Sequence, residues 1–321
     1  MIMMTTTITI YIIVVIIYLE MISLNNRVEI YVQELNTSKS VDNILCELDS
    51  KTNSSSIIVF ELDKLNYLHS TGVLNLIGLS KLVLNKTGHP LQLNSLSFSL
   101  FEYLSRLNIQ SLNSIYINTK EFANNYIDIY YYENINLARL FHLNCQKHQV
   151  ELIKYIRNFF DAAFDITKKK NISRVCTMIL ELTGNCIEHS DPINEFGETF
   201  FLMENTIVKD NIRKTSRVDK IRISVGDFGC GIKNHMRLNY PIIPDDDLIY
   251  IQTALIDGKT GRLDQSGGLG FGSIKNTMKL FKGSFTIHSG TVTVTITDDI
   301  ISSKTNKFLP GTQFEILIYN T

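Results

Sequence analysis

The chain has 321 residues, 44% of them hydrophobic, and a formal net charge of −1. That is enough apolar material for two domains that each bury a core, and the balanced charge argues against a partner chosen by bulk electrostatics, such as duplex DNA. Five scattered cysteines with no CxxC pair argue against a zinc or disulfide framework and read as free thiols of a reducing compartment.

The chain opens with MIMMTTTITIYIIVVIIYLE, whose apolar core runs from Ile8 to Leu19 with no Lys or Arg before it. That core is short of the roughly 20 residues a bilayer needs. It also lacks the basic start and small-residue cleavage site of a secretory signal. Three readings of residues 1–24 stay open: a membrane anchor, a buried strand, or a leader upstream of Met21.

Residues 27–33 (RVEIYVQ) alternate as a strand does. A strand is expected at 57–62, a helix from about Thr71 to Leu84, a short strand at 91–94 and a helix ending near Leu107. IYIN at 115–118 completes an α/β unit over 25–130. The polar, tyrosine-rich stretch 124–136 reads as the boundary with a second unit over 131–321. There, HQVELIKYIRNFFDAAFDI and residues 172–189 predict two amphipathic helices. Strands are expected at 198–207 and 220–226. Residues 232–266 read as irregular, with Pro241, Pro244 and three consecutive aspartates at 245–247. A helix from Leu269 and three strands (283–288, 291–297, 312–319) close the chain.

Three segments carry chemistry. ELTGNCIEHSD places Glu181, Asn185 and His189 four residues apart, on one stripe of a helix. A carboxylate and an amide at that spacing suit a magnesium-nucleotide site, because magnesium takes oxygen ligands and keeps most of its waters. The carboxylate can serve as general base. VGDFGCGI ends a strand at Asp227, followed by Gly229 and Gly231. A carboxylate there can accept from an exocyclic amine, while glycines let backbone approach a flat ring. SGGLGFGSIKN sets glycines directly before a helix, where backbone N–H groups favour phosphate oxygens. Each segment alone has an ordinary explanation: a solvent-facing polar stripe, a glycine-rich strand exit, a flexible hinge. Their order and spacing together do not.

The order ExxxNxxxH, DxGxG, GGLGFG, with PGTQFEI closing at 310–316, resembles the GHKL or Bergerat-fold ATPases over residues 135–320. Within that superfamily the motifs look most like those of the anti-sigma factor serine kinases. The resemblance implies an α/β sandwich that binds ATP and Mg2+. It implies Glu181 as catalytic base, Asn185 on magnesium and Asp227 on adenine. Gly229 and Gly231 would line the base pocket, Thr312 would sit near the adenine, and Gly268, Leu269, Gly270 and Gly272 would border the phosphates beneath a lid at 232–266. His189 matches the motif and is assigned no chemistry.

Residues 25–125 resemble the STAS domain of anti-anti-sigma factors, on LHSTGVLNLIGL after a buried strand. Ser70 and Thr71 stand where that family carries its phosphate acceptor, but His69 replaces the usual aspartate. The favoured reading of Ser70 is a plain helix N-cap, a role that could coexist with phosphate acceptance. The expected output is a serine/threonine protein kinase or an ATP-driven switch. The alternatives are a histidine kinase, for which His142 and His148 lack the usual context, and a non-catalytic nucleotide sensor. The expected partners are a regulatory protein or a second copy of the chain, with no nucleic acid. The expected location is the cytoplasm, free or held to a membrane by residues 1–20.

Overall fold

The computed structural model describes residues 26–109, 117–118, 140–143, 145–163, 171–189, 198–210, 215–237, 240, 243–256, 269–298 and 300–319. The apolar segment before residue 26 lies outside the described residues, as does the boundary stretch 124–136. The fold is mixed α/β, built on two sheets. The first is parallel, in the order β1-β2-β3-β4, from β1 (Arg27–Tyr31), β2 (Ile57–Glu61), β3 (Leu91–Asn94) and the two-residue β4 (Ile117–Asn118). The second is antiparallel, in the order β5-β6-β7-β9-β8, from β5 (Phe141–Leu143), β6 (Thr199–Asp210), β7 (Thr215–Asp227), β8 (Ser284–Thr297) and β9 (Ile300–Tyr319).

In the first unit, α1 (Ser38–Lys51), α2 (Ser70–Thr87) and α3 (Phe98–Arg106) connect the strands. The sequence reading passed over α1. Its signal is a reciprocal capping box between Thr37 and Ser40, followed by Val41, Ile44, Leu45 and Leu48 buried on one face. Gly88 ends α2 in the left-handed conformation, with φ 72°, and its N–H bonds to Leu84 O.

In the second unit, α4 (Gln146–Ala163), α5 (Ile172–His189) and α8 (Leu269–Leu280) cover one face of the antiparallel sheet, against Phe201, Met203, Ile221, Ile223, Val225, Phe314 and Ile316. Strand alternation sends the next residues to the other face, and α2 of the first unit lies there. Phe200, Leu202, Phe228 and Leu309 join the same cluster as Val73, Leu74 and Ile77 of α2. Burying each such side chain contributes about 1.5–3 kcal/mol, so this contact is large beside a typical net stability of about 5–15 kcal/mol. The first unit therefore completes its core with the second, and the order through the molecule is parallel unit, antiparallel sheet, helices.

Two expectations are corrected. Residues 232–266 are not irregular throughout, because α6 (Gly231–Arg237) and α7 (Asp247–Ile256) lie there. Prolines and aspartates masked LIYIQTALI, which is apolar on every side, with Tyr250, Ile251 and Ala254 buried. The chain also closes with two long strands, not three short ones. β8 runs through an irregularity at Gly290, and β9 opens with two exposed isoleucines and the polar run 302–307, without apolar alternation. This extended arm reaches α1, where Lys307 N–H donates to Asp42 Oδ1 at 2.7 Å.

Candidate functional site

α5 spans Ile172–His189. Val175, Cys176, Ile179, Leu182 and Cys186 are buried against the sheet. The same periodicity leaves Glu181 exposed and Asn185 half-buried, one turn apart. Next to Asn185, the buried Cys186 thiol hydrogen-bonds Asp227 at the end of β7. The motif helix and the strand-end carboxylate are therefore adjacent.

Asp227 is 3% exposed. Burial pushes its carboxyl up to about 6, opposed by donation from the Gly229 N–H, the Cys186 thiol and the Thr312 N–H. The Gly229 N–H meets Asp227 Oδ1 at 2.9 Å. Burial, with the Asp227 charge added, lifts the Cys186 thiol well above its ordinary value, so the thiol is a neutral donor. A carboxylate buried this deeply, held by backbone and thiol donors and by the Lys81 charge, is the kind of group that functional sites retain.

Opposite it, Thr312 of β9 pairs in register with Asp227. Gly311 precedes it at φ +81°, and a Cβ there would stand 2.1 Å from Asp227 O. Only glycine fits this position. Gly231 opens α6 at φ +76°. Ser289, which sequence reasoning missed, ties these turns together. Its buried Oγ accepts from Ile232 N–H at 3.0 Å, donates to Gly311 O at 3.2 Å and lies 3.3 Å from Thr312 Oγ1. A serine inside a Thr/Val strand gives no periodic signal, so only the fold exposes its role.

The structure thus brings Asn185 (through Cys186), Asp227, Gly229, Gly231 and Thr312 to one end of the sheet. Glu181 lies on the same helix, one turn away. Leu269, Gly270 and Gly272 form the first turns of α8, which packs on α5. Gly268 falls outside the described residues, and so does the side chain of His189.

Ser70 and Thr71 sit elsewhere. The N-cap of α2 is His69, which makes no side-chain cap bond, so Ser70 is the first helical residue and not the cap. The cap comes from the other unit: the Ser70 N–H donates to the carboxylate of Glu204 on β6. Ser70 Oγ lies 2.8 Å from Ser224 Oγ, and Thr71 Oγ1 bonds both Ser224 and Glu315. Beneath them Arg222 pairs with Glu204 at 3.2 Å and Glu315 at 3.5 Å. Burial raises the Glu204 carboxyl, and the Arg222 charge holds it back. Burial also drops the nearby His69 imidazole to about 4, helped by the Arg222 and Lys220 charges. This polar cluster faces away from α5.

Among the described residues no group of three or more His, Cys, Asp or Glu side chains forms a metal cluster. One amide plus nucleotide phosphates would need none. All five cysteines are free. No helix among the described residues is long and apolar enough to cross a membrane. No protein-family model matches the chain, and no curated protein matches it.

Proposed function

We propose that the chain is an ATP-binding regulatory protein with a C-terminal histidine kinase-like ATPase unit of the GHKL or Bergerat type and a STAS-like N-terminal unit, acting on a protein partner. The observation that carries this is Asp227. It is a buried carboxylate at a strand end, clasped by glycine backbone and bonded to the helix that bears Glu181 and Asn185. A carboxylate in that setting suits the exocyclic amine of adenine, and Gly229, Gly231 and Thr312 border the same space.

Asn185 would hold magnesium, which when bound neutralises phosphate charge. Glu181, exposed one turn away on the same helix, would take a proton from a serine or threonine hydroxyl, or from water, as its oxygen bonds to the γ-phosphorus. The bond from the γ-phosphorus to the bridging oxygen breaks, and its electrons stay on ADP. Transfer to Ser70 within the docked chain is closed off. Ser70 is 1% exposed, and α2 and α5 belong to the cores on opposite faces of the sheet. The acceptor is then another molecule, a lifted α2, or water.

A histidine kinase fits less well. His142 lies on β5 within the sheet, 3.2 Å from Glu198 and stacked on Phe200, not on a dimerisation helix. The test uses γ-labelled ATP with magnesium, comparing wild type with Glu181→Ala. Label on protein that the variant loses means a kinase, and free phosphate that it loses means an ATPase switch. A wild type that binds no magnesium-ATP sinks the reading.

A further inference from the structure

Phe228 follows Asp227 directly, yet its ring points the opposite way, into the core under the first unit. It is 5% exposed and packs beside Phe200, with ring centroids 5.9 Å apart. Its seat is Gly78 on α2. A Cβ at Gly78 would stand 2.5 Å from Phe228 Cε1, 3.0 Å from Cδ1 and 3.2 Å from Cζ. Glycine costs a helix interior about 1 kcal/mol relative to alanine, so its place in the middle of α2 has a packing reason: the ring occupies the space a side chain would take.

The contact extends on either side of that ring. Just before Asp227, a Cβ at Gly226 would lie 3.3 Å from Leu74 Cδ1 of the same helix. From β9, a Cβ at Gly311 would lie 2.4 Å from Phe228 Cα. The Asp227–Phe228 backbone is therefore held between β9 and α2. The carboxylate faces one core and the next side chain is anchored in the other. At the far end of the contact, the start of α2 is held by Glu204, Ser224 and Glu315.

We propose that Phe228 and Gly78 couple the nucleotide pocket to the docking of α2, so that the N-terminal unit positions Asp227 and nucleotide in turn tightens that docking. The inference rests on the nucleotide reading above. Gly78 and Phe228 are positioning residues, since neither touches the space beside the Asp227 carboxylate. Coupling of this kind is reciprocal: the factor by which docking raises affinity is the factor by which nucleotide favours docking. It requires no long pathway, because one peptide bond joins the two side chains.

The test uses the full chain and the magnesium complex of a non-hydrolysable ATP analogue. Calorimetry gives the affinity of wild type, Gly78→Ala, Phe228→Leu, the double variant and Asp42→Ala. Asp42→Ala serves as a docking control, because it removes the Lys307 bond of the β9 arm and a charge felt by His288 while leaving Gly78 and Phe228 unchanged. Gly78→Ala is expected to weaken binding ~10-fold, and the double variant to recover to the level of Phe228→Leu. Asp42→Ala keeps wild-type affinity. Hydrogen exchange on the wild type needs no variant to fold: the analogue should slow exchange across residues 70–87, by up to ~10-fold where exchange proceeds through undocking. Unchanged affinity in Gly78→Ala, a loss that the double variant does not relieve, an equal loss in Asp42→Ala, or unchanged α2 exchange overturns the coupling alone. Absence of binding by the wild type overturns the nucleotide reading and the coupling with it.

Discussion

Asp227→Asn is expected to stabilise the empty protein at neutral pH while weakening its hold on adenine. The Asp227 carboxyl lies at about 6 in the fold against an ordinary 3.8, and burial is the main cause. Each pH unit corresponds to about 1.4 kcal/mol, so keeping this group ionised at pH 7 costs the fold about 3 kcal/mol. Between the unfolded value of 3.8 and the folded value of about 6, the native chain holds a proton that the unfolded chain has released. The group's contribution is therefore fully present below 3.8, falls as pH rises through about 6, and is flat above. Urea unfolding of wild type and Asp227→Asn, without nucleotide, should be followed from pH 4 to 8. Subtracting one curve from the other removes the other titrating groups. The variant should gain on the wild type by about 3 kcal/mol across that window. Adding magnesium-ATP should then stabilise the wild type by mass action and the variant much less. A difference that stays constant with pH, or a variant that loses ground as pH rises, refutes the argument that Asp227 is held ionised at a cost.

Two further outcomes concern the contacts around the site. Arg222→Ala leaves Glu204 and Glu315 without their shared partner under α2 and should destabilise the chain by about 3–5 kcal/mol, read as a drop in the urea midpoint. Gly311→Ala meets both a left-handed φ and Asp227 O at 2.1 Å, whereas Gly88→Ala meets a left-handed φ with nothing within 4 Å. Gly88→Ala should cost only the ~1–2 kcal/mol of the backbone conformation. Gly311→Ala should cost clearly more and should also weaken nucleotide binding. Equal losses in thermal unfolding would remove the close approach as the reason for glycine at 311.

Much of the local structure was legible because it follows from periodicity and punctuation. The apolar stripe of 172–189 specified α5 to its ends, and the apolar run bounded by His69 and Gly88 specified α2 within a few residues. Asp227 and its glycines were visible because a strand that ends in DxGxG breaks its own alternation. The misreadings have equally physical sources. In α7, Pro241 and Pro244 outweighed the apolar run that follows them. In β9, the polar run 302–307 shows no apolar alternation, and the apolar residues beside it, Ile300, Ile301 and Phe308, are exposed.

What the sequence determined by itself is the set of elements and the residue types at one end of the second sheet, since both depend on neighbours within a turn or a strand. Which surfaces meet was decided only by the tertiary structure. Arg222 and Ser224 occupy the polar face of an alternating strand, which in sequence reads as solvent-facing, yet α2 covers them and Ser70 and Thr71 bond to that surface. Phe228 reads as part of a glycine-rich exit, and Gly78 as a weak point in a helix. Their meaning depends on the 149 intervening residues folding so that each fills the other's space. Alternation tells which side chains share a face, but what covers that face is settled by packing between distant segments, which no local pattern encodes.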